Sequence, residues 1–148
     1  MQINEFMSTD LATCTPDTPL NECAQKMKEY DCGMIPVLST DGSRKPIGVL
    51  TDRDITIRTL AEGINPMDCT VGDVMSSDPL CISANAGHQE AEKMMEENQV
   101  RRLLVVDDNG DCAGLISQAD LARNIPLEEI GEVVQHISEP SQGAGFQA

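Results

Sequence analysis

The chain has 148 residues and a formal charge of −15. Acidity on that scale excludes general binding to DNA or RNA, whose phosphates need a basic face. Three aromatics (Phe6, Tyr30 and Phe146) are too few to stack single-stranded bases, so the 40% apolar share must build an aliphatic core for one compact domain or two small packed halves.

In chain order, residues 12–15 read as a short strand. Thr18 and Pro19 then read as a cap followed by a first-turn proline. A helix follows to Tyr30, with Leu20, Ala24, Met27 and the stem of Lys28 as its buried stripe. Ile35-Pro36-Val37-Leu38 is apolar on both faces and is expected as a central strand. Residues 39–43 make a hairpin turn, residues 47–50 a strand, and residues 52–61 a helix. A linker over 62–68 leads to Thr70-Val71-Gly72-Asp73, a capping box that opens a short helix. The pattern then restarts. It gives a strand at 80–83, a helix at 88–98 burying Ala91, Met94 and Met95, a strand Leu103-Leu104-Val105-Val106, a turn at 107–111, a strand at 113–116 and a helix at 118–124. Past Pro126, the residues Leu127, Ile130, Val133, Val134 and Ile137 recur at helical spacing, and residues 138–148 read as a flexible Gly/Ser/Gln-rich tail.

The restart is a duplication. Setting Met7 on Met75 carries Glu22 onto Glu90, Met27 onto Met95, Val37 onto Val105 and Gly42 onto Gly110. After a two-residue deletion Gly48 falls on Gly114 and Asp54 on Asp120. A fixed period held through so many landmarks is the mark of a repeat. The reading is therefore one repeat over 1–65, a second over 66–126, and a C-terminal amphipathic helix and tail over 127–148. A unit of about 60 residues buries a marginal core alone, so the two are expected to pack together.

Each repeat ends in the same junction. Gly48-Val49-Leu50-Thr51 runs through two variable positions to Asp54, and Gly114-Leu115-Ile116-Ser117 runs likewise to Asp120. A strand there delivers the chain to a helix start, where the first backbone N–H groups lack intrahelical acceptors. The hydroxyl and carboxylate three residues apart form a capping box in a protein that binds nothing. They also suit a ligand, because a carboxylate accepts two hydrogen bonds from neighbouring ribose hydroxyls. Spacing alone leaves both readings open.

With the repeat and both junctions in hand, the chain resembles a tandem pair of CBS domains, the Bateman module, over residues 3–125. Leu50-Thr51-Asp52-Arg53-Asp54, Leu60-Ala61-Glu62-Gly63 and Gln99-Val100-Arg101-Arg102 are similar to small stand-alone bacterial CBS-pair proteins, including hypoxic-response types. The resemblance implies an α+β fold of two β-α-β-β-α repeats packed pseudo-symmetrically around two clefts, commonly as a homodimer. It implies a regulatory protein taking AMP, ATP or S-adenosylmethionine in a cleft between repeats and signalling by conformational change, with no cofactor required. Asp54 and Asp120 match the family's ribose-binding aspartate, Thr51 and Ser117 its hydroxyl near ribose or phosphate, and Arg101 or Arg102 its phosphate-facing position. Gly33 and Met34 stand where the second repeat has the arginines, so the cleft around Asp120 is the better candidate; Arg53, where the second repeat has Ala119, could reach phosphate in the first. The arginine pair also reads as a surface pair with snorkelling stems. The competing function is a ligand-independent dimeric protein-interaction module using Ile57, Leu60, Ala61, Ile64 and the 127–137 helix.

Other chemistry is not expected. The six cysteines form no CxxC pair and read as small buried hydrophobes in a reducing compartment. His88 and His136 stand at helical positions and read as isolated, with no glutamate or cysteine at ligand spacing, so no metal is expected. No nucleophile–base–orienter set, P-loop lysine or HExxH is present, which argues against an enzyme. No apolar run nears the roughly 20 residues of a membrane span. Residues 1–5 lack a basic start and an apolar run, giving a cytoplasmic expectation.

Overall fold

The computed structural model describes residues 1–140. The chain forms two compact units. Unit I holds Asp10–Pro79 with Gly110–Cys112; unit II holds Met1–Thr9, Leu80–Asn109 and residues 113–140. Both are mixed α/β, each with one three-stranded sheet, as the α+β reading requires.

In unit I, helix α1 (Leu20–Tyr30) packs Leu20, Cys23 and Met27 onto strands β1 (Met34–Leu38) and β2 (Pro46–Thr51). The buried stripe runs through Cys23; Ala24 and Lys28, expected there, face solvent. Pro19 is the N-cap of α1 and brings no side-chain hydrogen bond. Thr18, expected as the cap, turns back so that its Oγ1 accepts from Thr15 N at 3.1 Å. β1 and β2 pair antiparallel, with Ile35 opposite Leu50 and Val37 opposite Gly48. β2 runs into α2 (Asp52–Arg58), which stops short of the expected residue 61 and gives way to a 3-10 turn at Leu60–Glu62. The capping box at Thr70 forms as expected and opens α3 (Val71–Val74). After it, β3 (Ser76–Ser77) pairs antiparallel with β2.

Unit II repeats the plan. Strand β4 (Cys81–Ser83) pairs parallel with β5 (Arg102–Val106), which is central between β4 and β6 (Cys112–Ser117). Helices α4 (His88–Asn98) and α5 (Gln118–Asn124) follow their strands, and α6 (Leu127–Ile137) buries Ile130, Val133 and Ile137 in the core of this unit. Residues 141–148, most of the expected tail, lie outside the described residues.

The expected strand at 12–15 is reduced to a single bridge, Cys14 with Val37. The repeat explains why. In unit II the parallel ladder continues when Ala84 N donates to Val106 O at 2.9 Å. The matching residue in unit I is Pro16, which has no N–H to donate, so the ladder ends there.

Each sheet is completed by a segment that precedes the other repeat in sequence. Met75 and Ser76 flank β2 in unit I, whereas Ser8 exchanges both backbone hydrogen bonds with Leu115 of β6 in unit II, each at 2.9 Å. Both junction glycines lie under this segment. A Cβ at Gly48 would stand 2.7 Å from Ser76 O, and one at Gly114 would stand 2.7 Å from Ser8 O.

Candidate functional site

The two junctions have the same local geometry, and the strand's extended backbone sets it. Thr51 (φ −112°, ψ 159°) and Ser117 (φ −117°, ψ 163°) are the last extended residues and the N-caps of α2 and α5. In unit I, Thr51 Oγ1 accepts from Asp54 N at 3.0 Å, and Asp54 Oδ2 accepts from Thr51 N at 3.2 Å. In unit II, Ser117 Oγ accepts from Asp120 N at 3.1 Å, and Asp120 Oδ2 accepts from Ser117 N at 2.9 Å. The Ser117 hydroxyl also reaches Asp120 Oδ2 at 3.0 Å. Both capping boxes are formed.

The cap engages one carboxylate oxygen and leaves the other to a different partner. Asp54 Oδ1 lies 3.8 Å from Arg58 Nη2, one turn on, beyond hydrogen-bond reach. Arg58 is itself held elsewhere, its Nη1 donating to the carbonyls of Val74 (2.8 Å) and Met75 (3.0 Å). Asp120 Oδ1 accepts from Arg123 Nη2. Asp120 is only 4% exposed, while the Arg123 side chain is 67% exposed. Arg58 and Arg123 are the neighbours that the sequence reading missed; their spacing of four and three residues from the aspartates is the signal for them.

The arginine positions fall into place through the backbone. The first helical amide of α5, Gln118 N, donates to Arg101 O at 2.8 Å, and in unit I Asp52 N donates to Gly33 O at 3.0 Å. Arg101 therefore borders the Ser117–Asp120 junction of its own unit. It is exposed, and Arg102, which begins β5, is half-buried. At the matching place in unit I a Cβ on Gly33 would stand 3.1 Å from Asp52 Oδ2. Arg53 is exposed on the first turn of α2, and its backbone N donates to Asp52 Oδ1 at 2.8 Å. The first and third amides of both helices already have acceptors, so an anion at either junction meets at most the second backbone amide and otherwise side chains.

The histidines depart from expectation. Neither is isolated. His88 Nε2 lies 4.0 Å from Glu92 Oε1 and 3.6 Å from Glu129 Oε1. His136 Nδ1 lies 3.3 Å from Glu96 Oε2. The spacing of His88 and Glu92, one helical turn, signals the first of these contacts; Glu129 comes from α6, and no local pattern announces it. Burial first, then the adjoining Glu129 carboxylate, push the Glu92 carboxyl up to about 8.

Comparison with known proteins bears on the family and the fold. The CBS-domain family model matches residues 3–59 and 71–127. Hypoxic response protein 1 of Mycobacterium tuberculosis (strain ATCC 25618 / H37Rv) is 38% identical over 136 residues, covering 92% of this chain and 93% of that protein. Among solved structures, Hypoxic Response Protein I with two coordinated zinc ions has a TM-score of 0.75 at 34% identity, covering 85% of this chain and 100% of that one. The CBS domain protein PAE2072 from Pyrobaculum aerophilum complexed with AMP has a TM-score of 0.76 at 20% identity, covering 91% and 99%, and so shares the fold.

Proposed function

The chain belongs to the CBS-domain family, with two copies in tandem, and from that premise we propose that it is a regulatory protein binding an adenosine-containing ligand at the Ser117–Asp120 junction. The class is that of AMP, ATP or S-adenosylmethionine. The observation that carries this reading is the split use of each aspartate. Oδ2 caps the helix while Oδ1 is directed to an arginine one turn on, so capping and ribose binding do not compete for the same oxygen. At Asp120 the Oδ1 partner is an exposed arginine that can swing into solvent and yield its place to ribose hydroxyls. Arg101, whose carbonyl sits at this helix start, and Arg102 supply cations for a phosphate group. Thr51, Arg53 and Asp54 offer a second site with no arginine at positions 33 and 34. PAE2072, a protein of the same fold, is complexed with AMP. Binding signals only if the ligand favours one of two conformations of the chain.

The experiment is calorimetric titration with AMP, ATP and S-adenosylmethionine. Asp120→Asn keeps an acceptor for the cap but removes the charge, and it should weaken binding at least ~10-fold, the effect of losing one charge-assisted hydrogen bond. Arg123→Ala should bind as tightly as the parent or more so. Absence of heat with all three ligands would remove the reading.

A second reading, a ligand-independent dimeric interaction module, draws on a run of exposed apolar residues. Ile57, Leu60, Ile64 and Met67 are 39%, 65%, 47% and 64% exposed. The α6 helix contributes less to such a surface than its pattern promised, because Ile130, Val133 and Ile137 are buried within unit II and only Leu127 and Val134 stay exposed. Sedimentation distinguishes the two readings: a dimer whose melting temperature ignores all three ligands supports the second.

A further inference from the structure

Helices α4 and α6 of unit II bring three acceptor groups together around an unfilled polar requirement. His88 opens α4, Glu92 follows one turn later on the same face, and Glu129 faces them from the first turn of α6. One donor atom from each lies within 4.8 Å of the other two. The Glu92 side chain is 10% exposed, and its Oε1 is enclosed without any hydrogen-bond partner. A buried carboxyl oxygen left unsatisfied is costly, and it calls for a partner such as an ordered water or an ion.

The imidazole is turned the right way for that. His88 Nδ1 lies 3.4 Å from Met1 O. A carbonyl only accepts, so a hydrogen bond there is donated by Nδ1, and the ring is turned so that Nε2 faces the two carboxyl groups. Holding one ring nitrogen on a backbone carbonyl while the other faces outwards is the usual orientation of a metal-bound histidine. The spacings point the same way. Nε2 is 4.0 Å from Glu92 Oε1 and 3.6 Å from Glu129 Oε1. Both exceed hydrogen-bond range. Around a tetrahedral ion with ligands at roughly 2.1 Å, donor atoms stand about 3.4 Å apart, so small side-chain adjustments close the set. Further along the same two helices, Glu96 Oε2 of α4 and His136 Nδ1 of α6 lie 3.3 Å apart.

We propose that His88, Glu92 and Glu129 form a binding site for a divalent transition-metal ion of the zinc type. One imidazole and two carboxylates suit that class, whereas calcium and magnesium prefer all-oxygen sets and copper(I) prefers sulfur. Glu129, 34% exposed, gives the ion its way in and leaves the fourth position to water. The site stands on these three side chains alone and is independent of nucleotide binding.

The test is titration of chelator-treated full-length protein with zinc chloride by calorimetry, and with cobalt(II) chloride by absorption. Cobalt separates this site from the cysteines, because thiolate ligation gives an intense near-ultraviolet charge-transfer band that nitrogen and oxygen ligands do not. The expected result is saturation at one ion per chain without that band, and a melting temperature raised by zinc. Glu92→Gln and Glu129→Gln should each lower the affinity at least ~10-fold. Glu129→Gln changes a partly exposed residue, and circular dichroism confirms that each variant is folded. No saturable binding, a thiolate band alone, or equal affinity in both folded variants overturns the proposal.

Discussion

The Cβ that Gly114 lacks would stand 2.7 Å from the carbonyl oxygen of Ser8, and a side chain there would also press on Met7 Sδ at 2.8 Å. Gly48 stands in the same relation to Ser76 and Met75. The glycine that begins each junction motif is thus fixed by the backbone crossing above it, one residue pair before the strand feeds its helix.

Gly114→Ala and Gly48→Ala should each destabilise the protein by about 1–3 kcal/mol, the usual cost of overpacking against a neighbour that cannot move aside. Urea denaturation checks this. Equal stability of both variants with the parent would show that the crossing segment is loosely held.

Asp120→Ala removes the acceptor for Ser117 N in a buried setting and should cost about 1–3 kcal/mol. Asp120→Asn, which retains an acceptor, should cost distinctly less. Scanning calorimetry of the pair separates the capping role from the charge, and identical losses would mean that the cap does not depend on the acceptor.

Asp41 reports on the β1–β2 turn. Hydrogen bonds from the Ser43 hydroxyl (2.6 Å) and Ser43 N (3.0 Å), and then from Ser39, lower its carboxyl from the ordinary 3.8 to about 2. A carboxyl lowered on folding stabilises the folded chain above its unfolded pKa, and that contribution is lost as pH falls from about 4 through about 2. A carbon-13 NMR titration should place the Asp41 midpoint near 2, and Ser43→Ala should move it up towards the ordinary value. A midpoint unchanged by Ser43→Ala would contradict these contacts.

Cys14 and Cys23 are core atoms of unit I, 4% and 0% exposed, with their Sγ atoms 3.6 Å apart. The hydrogen bond with Cys23, and then burial, push the Cys14 thiol up, away from the reactive thiolate. Neither should react with a disulfide reagent in the native protein, and both should react on unfolding, as followed by mass spectrometry. Fast native modification of either would contradict their placement. In the second repeat their counterparts are Ile82 and Ala91, also buried, which fits the reading of these two cysteines as small hydrophobes.

The duplication, both junction capping boxes and the amphipathic α6 were legible in the amino-acid sequence. All of these arise from side chains within about four residues of one another, or from a pattern repeated whole. Its errors have local causes that the second copy exposes: Pro16 ends a ladder that Ala84 continues, and Cys23 occupies the buried stripe where Ala24 was expected. Only the folded chain shows which segment completes each sheet, why Gly48 and Gly114 have no side chain, and that Glu129 meets His88. Those contacts join residues far apart in the chain. Which partners meet is set by the packing of whole helices and strands, and no periodicity within either segment records it.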